Sequence, residues 1–321
     1  MLELALIGAG SMGANHARVA MGLRDARLSI VVDPDESRGG AVAASAGAIY
    51  HRRLESALPH IDAAIVAAPT HHHHRLAMQL LEAGIHVLVE KPISATREEA
   101  TEMIDRASAA EKVLMVGHIE RFNPVVLELG RLLTDPIHVT AQRISPYTPR
   151  IADGVTLDLM IHDLDLIASI ARSPIRRLAS FSQDVFGSDD LTLAVMEFES
   201  GMTASVTASR LGQDKVREMT ITQREDYLRL DLIRQSVTVH RLGRIDENAG
   251  ETGYSQSGIV ELPFLRHRGE PLLLELGHFI DCILAGSAPR VTGEDGRRAI
   301  ELVEMVKKAA QGERAFEGTD A

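Results

Sequence analysis

Asp158 and His162 stand four residues apart in DLMIHDLDLI, and Lys91 sits between Glu90 and Pro92 at the end of the apolar run HVLVE. Positions four apart on a helix share a face, so Asp158 can orient the His162 imidazole and stabilise its protonated form. Histidine titrates near neutrality and suits the transfer of an alcohol proton. A lysine at the carboxyl end of a strand, held ahead of a proline in a restricted backbone geometry, can donate a hydrogen bond to an oxygen gaining negative character. The same residues admit plainer roles. Asp163 and Asp165 follow at once, as on a helix with a solvated acidic face, and Lys91 would also suit open surface.

A second constellation supplies a partner for alcohol chemistry. The strand-like run LALI leads into Gly8-Ala9-Gly10-Ser11-Met12-Gly13, a helix-compatible stretch follows, and Asp33 closes the apolar run LSIVVD twenty positions beyond Gly13. In such a turn Gly8 permits the tight bend, Gly10 lets the backbone approach a pyrophosphate, and Gly13 lets helix and strand pack closely. The helix N-terminus at Ser11 and Met12 offers N–H groups to the phosphates. Asp33 would accept hydrogen bonds from both hydroxyls of an adenosine ribose and repel a 2′-phosphate, so NAD is expected rather than NADP. A glycine turn in an ordinary core, with Asp33 capping a loop, is the plainer alternative.

These groups need elements to carry them. Strand-like runs at LELALIG, LSIVVD, DAAIVAA, HVLVE and VLMVG alternate with helix-like runs over 11–23, 37–46, 72–83 and 96–110. The alternation predicts a Rossmann-type doubly wound parallel sheet over residues 1–118. Ligands in such sheets bind beyond the carboxyl ends of the strands, where Ala68, Pro69, Thr70, His73, Glu90 and Lys91 fall. The run His71-His72-His73-His74 invites a metal reading. Adjacent helical positions diverge around the axis, and no carboxylate or cysteine completes a set at metal spacing, so no metal is expected. Within GHIERFNP, His118, Arg121 and Asn123 border the domain junction and could contact substrate or cap a helix.

From residue 119 the pattern changes to an α+β domain running to 321, its last helix packing back on the first domain. Helices are expected near 121–133, 158–171, 271–285 and 294–311, with half-buried, mainly antiparallel strands between 138 and 242. GRIDENAGETGYSQSG, within 242–258, is expected as a mobile loop and GERAFEGTDA as a disordered tail. Apolar residues make up 45% of the 321 and charged residues 25%, as in globular enzymes. Net charge is −11, against nucleic acid as a partner. No run of 18 apolar residues suggests a membrane span. The N-terminus lacks a signal-peptide pattern, and the single cysteine, Cys282, fits a cytoplasmic protein.

Taken together and in order, these motifs resemble the Gfo/Idh/MocA oxidoreductase family over nearly the whole chain. The resemblance implies an NAD-dependent enzyme with a Rossmann domain, a Glu-Lys-Pro motif and a C-terminal α/β domain with an open, mainly antiparallel sheet. It implies catalytic roles for Lys91, Asp158 and His162. The family's Pro-Asn-x-x-His appears as Pro69-Thr70-His71-His72-His73, with Thr70 in place of asparagine, and Ile119 replaces a usual asparagine in GHIERFNP. VGHIERFNPVV followed by PRIADGVTLDLMIHDLDLI is similar to members that oxidise the 3-hydroxyl of a UDP-sugar, UDP-N-acetylglucosamine. Such a substrate would need cations, for which Arg121, Arg143 and Arg150 are candidates. The open sheet implies pairing of its uncovered face in a homodimer or homotetramer. Other sugars, an inositol, or a non-catalytic NAD(H) sensor would keep the same fold.

Overall fold

Short, mainly apolar strands whose central residues are buried on both faces sit between two layers, and the first third of the chain is built around them. In the computed structural model, which describes residues 1–148, 153–246 and 255–312, these runs form β1 (Leu2–Ile7), β2 (Ala26–Val32), β3 (Ile49–His51), β4 (Ala63–Val66), β5 (His86–Glu90) and β6 (Leu114–Gly117). The helices between them are α1 (Ser11–Ala20), α2 (Glu36–Ala46), α3 (His73–Glu82) and α4 (Arg97–Ala109). All pairings are parallel, in the order β3-β2-β1-β4-β5-β6. The order reverses between β1 and β4, the switch point at which such sheets bind ligands. Short β3 was absent from the sequence reading, since three residues give too little pattern.

The remainder begins with α5 (Pro124–Leu132) and β7 (Pro136–Ile144). A π-helical turn, Thr156–Met160, then runs into α6 (Ile161–Ala171). The strands β8 (Ile175–Asp184), β9 (Asp189–Phe198), β10 (Thr203–Ser209), β11 (Val216–Gln223), β12 (Asp226–Asp231), β13 (Ser236–Asp246) and β14 (Ser255–Glu261) join β7 in one eight-stranded sheet. Only β7 with β10 is parallel; every other pair is antiparallel. Two helices close the chain, α7 (Pro271–Ala285) and α8 (Gly293–Ala310).

The chain divides into two compact units. Met1–Phe122 groups with Gly269–Glu301, and Asn123–Arg268 groups with the chain from Leu302 onward. The second domain is therefore not one continuous segment from 119. Leu272, Leu276, Phe279 and Ile280 of α7 recur at helical spacing and join the core of the first unit. The expected loop over 242–258 differs at its two ends, residues 247–254 lying outside the described residues. β13 extends to Asp246 and β14 starts at Ser255, with Ile245 opposite Gln256. Backbone pairing at a sheet edge does not need apolar side chains, so polar composition concealed these strands. The expected tail lies outside the described residues from 313 on. Among the described residues no helix is long and apolar enough to cross a membrane.

Candidate active site

In the first unit the glycine turn has the geometry its spacing requires. Gly8 adopts φ +98°, and a Cβ there would come within 2.7 Å of the Ala67 carbonyl oxygen. A methyl on Gly13 would overlap the Gly8 carbonyl, whereas a Cβ on Gly10 would meet nothing within 4 Å. Helix and strand thus touch at Gly8 and Gly13 while Gly10 faces open space. Gly10 is also the N-cap of α1 with no side-chain hydrogen bond, which leaves the helix end suited to phosphate.

Asp33 directly follows β2 and is 2% exposed. Its Oδ2 accepts the Ala9 N–H at 2.7 Å and its Oδ1 the Asp35 N–H at 2.9 Å. Arg38, on the first turn of α2, donates to both oxygens, at 2.8 and 3.3 Å. Burial pushes the Asp33 carboxyl up, but Arg38 and the two backbone donors outweigh it and hold the group below its usual range. Arg38, which the sequence reading passed over, therefore shares the carboxylate that a ribose would use. The turn and Asp33 together fit an NAD molecule.

Beyond β4, Ala68, Pro69 and Thr70 lead into α3. His73 is buried, its Nδ1 and Nε2 lying 2.8 and 2.7 Å from the carbonyl oxygens of Pro92 and Ala68. It ties the loop after β4 to the segment after β5. Burial lowers its imidazole pKa against the pull of these carbonyls. His74 instead meets Glu102 at 2.8 Å, and the His71 ring lies tilted against that of His72 with centroids 4.0 Å apart. The four histidines thus divide among three different surroundings.

Glu90 closes β5, and its Oε2 accepts the Lys91 N–H at 3.2 Å. Its Oε1 lies 2.7 Å from Nε2 of His16 on α1. Neither His16 nor nearby Glu275 on α7 figured in the sequence reading. A signal existed, since each falls on the otherwise apolar buried stripe of its helix. His118 is buried. Arg121, 12% exposed in its side chain, lies 3.8 Å from Asp295.

In the second unit Asp158 lies in the π-helical turn and His162 is the second residue of α6; both are half-buried. The expected single helix over 158–171 is thus two kinds of helix. π-turns are rare and recur at functional sites. Asp189 accepts the Thr156 N–H at 2.9 Å, and Gly154, at φ +84°, leaves no space for a side chain beside Asp189. Asp163 and Asp165 are each 2% exposed, not a solvated face.

Arg143, expected to meet a diphosphate, is 2% exposed, and its Nε and Nη2 each donate to Asp163 at 2.8 Å. The fork that would grip phosphate is closed on a neighbour in the core. Asn123 caps α5 through the Val125 N–H and donates to the Leu232 carbonyl at 2.9 Å, a structural duty that sequence left open. Arg150 lies outside the described residues.

Comparison with known proteins agrees with this geometry. Residues 2–118 match the oxidoreductase family with NAD-binding Rossmann fold, and residues 128–228 match the Gfo/Idh/MocA C-terminal domain. The chain is 28% identical to UDP-N-acetylglucosamine 3-dehydrogenase of Acidithiobacillus ferrooxidans, with 97% of each chain covered. It is 27% identical to inositol 2-dehydrogenase 1 of Saccharopolyspora erythraea, over 97% of this chain and 94% of that one. A solved structure of the Acidithiobacillus enzyme superposes with a TM-score of 0.88 at 26% identity, covering 97% of this chain and 98% of the other. With both halves of the chain matched in sequence and fold, it belongs to the Gfo/Idh/MocA family of NAD-binding oxidoreductases.

Proposed function

We propose that the protein oxidises the 3-hydroxyl of UDP-N-acetylglucosamine to the 3-keto sugar. The observation that carries this is the end-to-end likeness, in sequence and in fold, to a dehydrogenase of that name. When bound, NAD⁺ supplies the acceptor for the hydrogen at sugar C3 together with its electron pair. Gly8, Gly10 and Gly13 would give the pyrophosphate its backbone cradle and Asp33 would take the ribose hydroxyls. His162 receives the proton from O3. Lys91 donates a hydrogen bond to the same oxygen and favours its alkoxide character, and Asp158 stabilises the positive charge that results. The pH–rate profiles of the two single variants separate this assignment from the exchanged one, in which Lys91 takes the proton.

The test uses UDP-N-acetylglucosamine deuterated at sugar C3, with NAD⁺ and a carbonyl trap to draw the reaction forward. Deuterium in NADH beside a trapped 3-keto sugar supports the reading; no transfer, with NAD binding measured separately, overturns it. A second reading, oxidation of an inositol ring hydroxyl, is favoured by the inositol dehydrogenases among the relatives. The same assay with myo-inositol decides between the two.

We also propose a homo-oligomer joined through the second sheet. Phe181 pairs with Leu193 across β8 and β9, and Val195 follows; all three are exposed. Light scattering at the monomer mass would end that proposal.

A further inference from the structure

The first unit buries two carboxyl groups and one imidazole together, and the proposed proton transfers use none of them. His16, Glu90 and Glu275 are 0%, 7% and 0% exposed. One oxygen or nitrogen from each lies within 4.8 Å of the others. They come from three elements, α1, the end of β5 and α7, so the fold assembles the cluster and no local motif does. His16 Nε2 and Glu90 Oε1 are 2.7 Å apart, and Glu90 Oε2 takes the Lys91 N–H. Both oxygens of Glu275 and Nδ1 of His16 are buried without a hydrogen-bond partner.

Two carboxylates this close in a low-dielectric interior cannot both keep their charge. The groups around them choose which one does. Burial pushes Glu90 up, but His16, the Lys91 charge and the Lys91 N–H outweigh it, so Glu90 stays ionised. Glu275 faces only burial and the Glu90 charge, and both push it well up. The titratable groups of the cluster facing it are His16 from α1 and Glu90 from β5.

The neighbourhood of Gly117, at the end of β6, is equally tight. A Cβ there would lie 3.2 Å from Glu90 Oε2 and Cδ. The glycine that opens GHIERFNP therefore leaves room for the Glu90 carboxylate.

We propose that Glu275 is a positioning residue for the reaction: as a neutral acid behind Glu90, it leaves Glu90 as the single buried carboxylate, which holds His16 and the Lys91 peptide. This rests on Lys91 acting in the chemistry. A metal ion is the alternative occupant. Two donors on one tetrahedral ion with bonds near 2.0 Å lie about 3.3 Å apart, wider than the His16–Glu90 contact.

The experiment compares Glu275→Gln, Glu275→Ala and Gly117→Ala in the full-length protein. Glu275→Gln keeps a neutral polar group of the same shape. Its kcat is expected within about threefold of wild type, whereas Glu275→Ala and Gly117→Ala lose at least about tenfold in kcat with NAD affinity little changed. Infrared spectra of protein carrying ¹³C-carboxyl glutamate, recorded at pH 7 without substrate, should show a protonated-carboxyl band that Glu275→Gln removes. The proposal is overturned if Glu275→Gln is as damaged as Glu275→Ala, if no such band is lost, or if purified protein holds stoichiometric metal that these variants release. The infrared and metal readouts need no turnover, so a wrong substrate assignment cannot be mistaken for failure of this proposal.

Discussion

The two units bury charge in opposite ways. In one cluster of the first, two acids face one imidazole, and three polar atoms of that cluster are left without hydrogen-bond partners. In the second, each of two buried arginines meets one aspartate: Arg143 forks onto Asp163, and Arg210 bonds Asp190. Matched pairs complete each other and leave little for a ligand to do. Unmatched groups keep a demand for something else, here the placement of a peptide beside a proposed reacting lysine. The contrast narrows to adjacent residues on α6, where His162 is half-buried and Asp163 is sealed in the core.

Exchanging those neighbours gives the strongest break. His162→Ala is expected to lower kcat by about 10²–10⁴-fold, the usual worth of a general base, with the melting temperature and NAD affinity kept. Steady-state kinetics beside a thermal melt would show it, and normal turnover would remove His162 from the mechanism. Asp163→Ala should do the reverse and cost about 3–5 kcal/mol of stability, because it strands Arg143 in the core. The double change Arg143→Met, Asp163→Leu should recover most of that loss in denaturant unfolding. Failure to recover would mean that the pair does more than satisfy itself.

Next in size is Asp33→Ala. Losing charge-assisted hydrogen bonds to the ribose should weaken NAD about 10–100-fold, as read by calorimetry. Freed from Asp33, Arg38 should narrow the gap between NAD and NADP; an unchanged preference would take cofactor selection away from this pair.

The smallest effect has opposite signs in the two units. The Asp190 carboxyl is pushed up by burial, but the N–H groups of Phe186 and Val185 and the Arg210 guanidinium bring it below its usual range. It therefore contributes stability above about pH 3.9, the unfolded value, that is lost as pH falls through its lower folded value. Glu275 is raised, so above about pH 4.3 the unfolded chain releases a proton that the folded chain keeps, and stability falls as pH rises. The melting-temperature gap between Glu275→Gln and wild type should widen from pH 4 toward pH 7. A constant gap would mean Glu275 is not held neutral.

Much of the first unit was legible because its candidate nucleotide-binding residues lie close in sequence: Gly8 to Gly13 form one run, and Asp33 closes the next apolar run. Lys91 stands out as a candidate because strand ends are where such sheets place chemistry. His16 and Glu275 were not, since their meeting depends on a segment arriving from about 260 residues away. Arg143 misled for a related reason. An arginine near a flexible-looking loop reads as a phosphate ligand until the aspartate that closes on it, twenty residues later in sequence, is seen in space. The π-turn at Asp158 was hidden because its side-chain pattern is that of the helix it feeds.

The segment Gly269–Glu301 also bears on how the molecule is made. It supplies Leu272, Leu276, Phe279 and Ile280 to a core begun by the first hundred residues. A ribosome must therefore deliver all of the second unit's sheet before the first unit can close. Until then the nascent N-terminal part holds an uncovered apolar surface, with His16 and Glu90 unshielded at its edge. The two units cannot fold as successive beads; the nucleotide-binding half, written first, waits for a segment written after the other unit's sheet.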